Sequence, residues 1–280
     1  MSKKTLDVHP CFNEQAHFKY GRTHLPVAPR CNIQCKYCIR SLNAVEQRPG
    51  VACRIMAPRE ALAFLRTAVK EHPITVVGVA GPGDALANEE TFETFRLIGK
   101  EFPQLLKCLS TNGLLLSETI NLLREIGLDT LTVTVNAVDP KIGARIYESV
   151  SKNGKTIRGV KAAETLIDAQ LEGVAKAVRA GMRVKINTVL IPGVNMHHVS
   201  DIAKRYAAMG VHLMNIMPLI PLYKLARASA PSCDQLNKAR NECEKYLPQF
   251  RKCKQCRADA VGIPGREVHE PRGDSEYYHF

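Results

Sequence analysis

The stretch APRCNIQCKYC, residues 28–38, decides how the rest of the chain is read. It sets Cys31, Cys35 and Cys38 at CxxxCxxC spacing directly after a short apolar run, His24–Ala28. Soft thiolates suit iron–sulfur clusters and zinc alike. A structural zinc closes a tetrahedron with four protein ligands, whereas three local thiolates leave one iron of a 4Fe–4S cluster open to a further ligand. Seven of the ten cysteines lie outside this loop. The N-terminus, MSKKTLDVHP, carries two lysines with no apolar run behind them, so a cytoplasmic protein is expected. In a reducing compartment cysteines bind metal or do chemistry more often than they pair.

Outward from that loop, short β-branched runs alternate with helical patterns. Strands are expected at His24–Ala28, Ile74–Ala80, Leu105–Leu109, Thr130–Val135, Arg183–Leu190 and His212–Met217. Helices are expected at Pro58–Glu71, Glu89–Glu101, Ser117–Ile126, Thr156–Ala180 and Val199–Met209, with Pro58 at a helix start and Gly127, Gly181 and Gly210 as stop signals. The alternation predicts an α/β fold with a parallel sheet, and six units make a partial (βα)6 TIM-type barrel rather than a complete one. Its chemistry is expected beyond the C-terminal strand ends, where APRCNIQCKYC, GPGDAL, STNG, NAVDP, IPGVN and PLIP follow the strands. Residues 1–23 read as an N-terminal arm and 24–230 as the barrel. Residues 231–262 read as a helix with a CxxC pair, and 263–280 as a mobile tail.

Composition excludes some classes. With 45% hydrophobic and 24% charged residues the balance is that of a soluble domain, and Ile74–Ala80 is too short to span a bilayer. The net charge of +12 is scattered, aromatics are 6% and Trp is absent, so base-stacking platforms for nucleic acid are scarce. A basic field does suit an anionic ligand, and thiolate-ligated iron–sulfur clusters are anionic.

The CxxxCxxC loop after a first barrel strand, with Tyr37 before its last cysteine, resembles the radical S-adenosyl-L-methionine (AdoMet) superfamily. That resemblance implies that Cys31, Cys35 and Cys38 are the catalytic cluster ligands and that the open iron chelates AdoMet through its amino and carboxylate groups. Reductive cleavage to a 5′-deoxyadenosyl radical follows. Gly81, Gly83 and Asp84 of GPGD stand where the superfamily has its Gly-Gly-Glu loop. Thr134, Asn136 and the loop from Ile191 to Asn195 stand at the ribose and adenine positions, and Met217 closes over the adenine.

The stretches HPCFNEQAHFKYGRTHLPVAPRCNIQCKYC, RPGV, GPGDALAN, TVNAVDPKIGARIY, NIMPLIP and CKQCRADAVG resemble, more narrowly, the NifB family of nitrogenase cofactor biosynthesis, from Asp7 to about Gly262. The resemblance implies the stand-alone form, without a fused NifX-like domain. It implies three 4Fe–4S clusters: the AdoMet-binding cluster and two substrate clusters. The latter fuse into the 8Fe core of NifB-co, whose carbide comes from the AdoMet methyl group. Cys11, His24, Cys108, Cys253 and Cys256 match the substrate-cluster ligands. Three ligands for each of two clusters need six, so Cys53 and Glu46 both stand as candidates for the sixth. Implied partners are iron–sulfur cluster donors and the scaffold and carrier proteins NifEN and NifX. Cys233 and Cys243 read as structural, and His9, His17, His197 and His198 receive no role. Two other readings are a radical AdoMet enzyme acting on a peptide or metabolite through auxiliary clusters, and a non-catalytic iron–sulfur scaffold.

Overall fold

The computed structural model describes residues 4–266 and 278–279. Six parallel strands make up all but one short edge strand of the main sheet: β1 (Gly21–His24), β2 (Ile74–Val79), β3 (Leu106–Thr111), β4 (Thr130–Thr134), β5 (Arg183–Leu190) and β6 (Leu213–Pro218). They lie side by side in chain order, as right-handed βα crossovers lay them down. Beyond a single turn at Lys4–Asp7, the α-helices of the described residues are, in chain order, α1 (Pro58–Glu71), α2 (Glu89–Glu101), α3 (Leu116–Glu125), α4 (Pro140–Ile146), α5 (Gly159–Arg179), α6 (Val199–Ala207) and α7 (Cys233–Glu244). Helix α1 starts at a proline, and Glu60 Oε2 accepts from Ala57 N at 2.7 Å, closing the first turn. Among the described residues no helix is long and apolar enough to cross a membrane.

Strand alternation divides each strand between two environments. Val77, Val79, Leu109, Leu131, Val133, Val184, Ile186, Met214 and Ile216 are buried in one core with the helices. The intervening residues face the inside of the half-barrel and are largely polar: His24, Gly78, Cys108 and Thr130 form one row across four strands, and Lys185 lies opposite Thr132. A barrel interior this polar is built to hold something other than packed aliphatic layers.

Two features differ from the sequence expectation. The first strand is Gly21–His24, so His24 ends it instead of beginning it; Pro26, which has no N–H to give, stands two residues on. Residues Tyr147–Lys152 and Lys155–Arg158 form a hairpin that no expected strand covers, and the helical pattern from Thr156 overlaps only its last three residues. The C-terminal segment closes onto the barrel, as cluster-binding arms would. Phe250 N donates to Met214 O at 2.7 Å on β6, and Val261–Gly262 pairs antiparallel with Arg22 and Thr23 of β1. It therefore fastens to both edges of the open half-barrel and spans the gap between them, with Cys253 and Cys256 midway. The N-terminal arm is tied in from the other side, with Thr75 Oγ1 donating to Val8 O at 2.8 Å and His9 Nε2 3.0 Å from Thr130 Oγ1. Of the tail expected over 263–280, residues 267–277 and 280 lie outside the described residues.

Candidate metal centres in and above the barrel

The cluster loop is clamped from three sides. Ile33–Cys35 adds as an edge strand to the hairpin, pairing Ile33 with Val150 and Cys35 with Tyr147. Lys36 N donates to Ile146 O at 2.8 Å, and Gln34 Nε2 donates to the carbonyls of Cys35 and Cys38 at 2.9 and 3.0 Å. Beneath the loop Gly83 approaches so closely that a Cβ there would overlap the carbonyl oxygen of Arg30. The three thiols are half-buried and unpaired by disulfides. Burial pushes Cys31 up to about 12, with the nearby Asp84 carboxylate adding to it. Burial raises Cys35 well above the usual thiol range, and the Cys38 and Cys31 thiols raise it further. Cys38 is also raised by burial, against the pull of Arg40 and Arg48. Such thiols stay protonated until a metal displaces the proton.

The other predicted mouth residues are placed as follows. Asp84 is buried, and its oxygens accept from Thr111 Oγ1 at 2.9–3.0 Å, Asn112 N at 2.6 Å and Leu86 N at 3.0 Å; it welds the β2 loop to the β3 loop. Burial raises its carboxyl above the usual range. Asn136 donates through Nδ2 to the Tyr37 hydroxyl at 2.9 Å and accepts through Oδ1 from Val189 N at 2.9 Å, so it steadies the cysteine loop from β4. Ile191 N donates to Asn195 Oδ1 at 2.8 Å, closing the β5 loop. Thr134 O accepts from Gln170 Nε2 at 2.9 Å. Gly81 lies in the β2 loop with Gly83 and Asp84, and Met217 is buried at the end of β6 in an apolar group with Ile191 that Cys31, Cys35, Tyr37 and Cys253 pack against.

A second group of thiols assembles inside the barrel. Cys11 from the arm, Cys108 from β3 and Cys256 from the C-terminal segment come near enough that the charges of Cys256 and Cys108 act on Cys11. Burial pushes Cys11 up to about 12, opposed by Lys185 and Arg22. Cys108 is likewise raised by burial and lowered by Thr130 and Lys185. Arg22 donates to Cys256 Sγ at 3.0 Å. His24 and Cys108 flank Gly78, whose absent side chain leaves the row between them open. His24 Nδ1 is 3.1 Å from Arg257 O, a contact of the kind that orients ligating imidazoles. Four of the five predicted substrate-cluster ligands are thus gathered. Cys253 is apart from them, its Sγ 3.8 Å from Met217 Sδ near the mouth. Among the described residues no three His, Cys, Asp or Glu side chains converge on a single-ion site.

The two candidates for a sixth ligand flank Arg257, which donates to Glu46 O at 2.7 Å and to Cys53 Sγ at 3.2 Å. Burial acts to raise the Glu46 carboxyl, but hydrogen bonds from Ser41 and Asn43 and the charge of Arg48, 2.6 Å away, outweigh it and hold it low. Cys233 is exposed, and Cys243 is buried in α7 against the core. Sequence reasoning missed Lys185 and Arg22, buried cations beside the inner thiols. The signal was a lysine in the middle of the strand RVKINTVL, at an inward position of the alternation.

The Radical SAM superfamily profile matches residues 25–206. The fold resembles Streptococcus suis SuiB bound to S-adenosylmethionine, with a TM-score of 0.59 at 12% identity over 83% of this chain and 52% of that one. It also resembles a radical SAM methyltransferase from Sphaerobacter thermophilus, with a TM-score of 0.54 at 21% identity over 82% of this chain and 64% of that one. A radical SAM half-barrel is therefore the class that fold and site define. A curated relative from Methanocaldococcus jannaschii, the FeMo cofactor biosynthesis protein NifB, is 54% identical over 91% of this chain and 86% of its own length. The protein of the same name from Klebsiella pneumoniae is 41% identical over 92% of this chain and 57% of its own length. The chain belongs to the NifB family of radical SAM proteins.

Proposed function

We propose that the chain performs the NifB step of FeMo cofactor biosynthesis: it joins two 4Fe–4S substrate clusters into an 8Fe core and inserts a carbide derived from the methyl group of AdoMet. The observation that carries this reading is the presence of two separate thiol groups, one on the mouth loop and one inside the barrel, in one half-barrel. The mouth donor set fits a 4Fe–4S cluster: three unpaired, half-buried, electrostatically coupled thiols on one clamped loop and no fourth thiol in that loop. Cys31, Cys35 and Cys38 would hold it, and bound there it supplies the electron that cleaves AdoMet.

The remaining work falls to this chain's own residues. The hairpin and Asn136, through Tyr37, fix the cysteine loop, while Gly83 and Asp84 hold the β2 and β3 loops beneath it. Gly81, Thr134, Ile191 and Met217 line the proposed AdoMet position. Cys11, His24, Cys108 and Cys256 are the proposed ligands of one substrate cluster. Cys253, beside Met217, is proposed to hold the other closer to the mouth, where carbon from AdoMet must enter. The interior cations suit anionic cargo. Cluster donors would load the protein, and carriers of the NifEN and NifX kind would receive its product.

Anaerobic reconstitution followed by dithionite and AdoMet labelled with carbon-13 on the methyl group tests the reading. 5′-Deoxyadenosine, S-adenosylhomocysteine and label retained in an 8Fe product are expected. 5′-Deoxyadenosine with no homocysteine product and no label in iron–sulfur material would overturn it.

A further inference from the structure

Lys185 is 5% exposed on the inward face of β5. Lysine is almost never buried this deeply unless an opposite charge accompanies it. Among the described residues no carboxylate forms an ion pair with it. Its ammonium donates to Cys11 O at 2.9 Å and lies over the rings of Phe12, at 4.7 Å, and Phe250, at 5.4 Å. Ring faces and one carbonyl offset part of the cost of burial, and none of these partners is an anion. Cys11 and Cys108 both feel that charge. On β1, Arg22 makes its 3.0 Å bond to Cys256 Sγ. The contacts of Lys185 also join the two ends of the chain, since Cys11 and Phe12 belong to the N-terminal arm and Phe250 to the C-terminal segment.

We propose that Lys185 is the counter-charge and positioning residue for an anionic iron–sulfur cluster held at Cys11, Cys108 and Cys256, and that its grip on both arms couples filling of that site to their closure. This rests on the reading of the inner thiols as a substrate-cluster site. A lysine serving only as a staple between the arms makes the same contacts but behaves differently when the site is empty. A staple stabilises the metal-free protein. A counter-charge burdens it, because replacing a buried unpaired ion by an apolar group of similar length is often neutral or stabilising.

The test uses the full chain carrying Cys31→Ala, Cys35→Ala, Cys38→Ala and Cys253→Ala, so that the iron read is neither that of the mouth loop nor that of the site beside Cys253. Into this background go Lys185→Met, Lys185→Arg and, separately, Cys108→Ala. Metal-free Lys185→Met is expected to melt no lower than its parent. After reconstitution it should lose iron to a chelator faster, on the order of tenfold, as for loss of one partner of a buried charge pair. Its cluster should titrate at a more negative potential by EPR, because removing a nearby cation favours the oxidised form. Lys185→Arg should restore both readouts. A lower melting temperature in metal-free Lys185→Met, with chelation and potential unchanged, would make Lys185 a staple and overturn the inference. Retention of all iron by Cys108→Ala would overturn the inner site itself. Iron lost by Cys108→Ala while Lys185→Met matches its parent in chelation and potential sinks the role of Lys185 alone.

Discussion

The mouth thiols come from eight consecutive residues, Cys31 to Cys38, whereas the inner thiols come from positions 11, 108 and 256. The first group is a property of one loop and of the hairpin that clamps it. The second exists only when the arm, the third strand and the C-terminal segment are all in place. A local site needs only local order, while a site of high sequence separation is formed last and lost first, because loop closure must be completed before its contacts form. Such a division suits the proposed function, in which one cluster stays and others are taken in and released.

The sharpest break between the regions comes from the cysteines. Cys35→Ala should reduce AdoMet cleavage to the background rate while iron at the inner thiols persists, measured as 5′-deoxyadenosine against iron per chain. Cys256→Ala should do the reverse, removing about four irons, the content of one 4Fe–4S cluster, and leaving the AdoMet-dependent change in the EPR signal of the mouth cluster. Packing effects come next. Gly83→Ala drives a methyl group into the Arg30 carbonyl and should cost about 1–3 kcal/mol, lowering the melting temperature by roughly 2–4 °C per kcal/mol in a chain of this size. Tyr37→Phe leaves the buried Asn136 Nδ2 without its acceptor and should cost about 1 kcal/mol, read by the same melt. The smallest effect is one of pH. Burial, with the charge of Arg183, holds His212 below its ordinary value of 6.5. Its contribution to stability is therefore complete above about pH 6.5 and declines as pH falls further, when the unfolded chain binds the proton more readily. His212→Gln should flatten that decline in a pH series of melts.

The same contrast governs what the sequence made legible. Helices α1 and α2 and strand β5 lie at the expected residues, because each has continuous periodicity and, in α1, a proline at its start. The CxxxCxxC loop is self-declaring for the same local reason. The hairpin is hidden because its strands are short and polar and a helical pattern overlaps its last three residues. Its Asn153-Gly154 turn, with φ of 51° and 73°, carried the hairpin signal and was passed over. Which strands the C-terminal arm fastens to is not legible in the sequence, because its pairing partners, Arg22 and Met214, lie 240 and 36 residues from Gly262 and Phe250. No periodicity reports such closures. Cys253 and Cys256 are three residues apart in sequence yet look toward different groups, Met217 for one and Arg22 for the other. The motif was readable, and the division of its two thiols was not.

The most direct test of the account is an iron and sulfide count on three anaerobically reconstituted proteins of matched circular dichroism. These are the unaltered chain, the triple alanine variant of Cys31, Cys35 and Cys38, and the triple alanine variant of Cys11, Cys108 and Cys256. The account predicts about twelve irons for the first and about eight for each of the others, since each triple removes one 4Fe–4S cluster. Full iron in the inner triple, or loss of all iron in either triple, would contradict it.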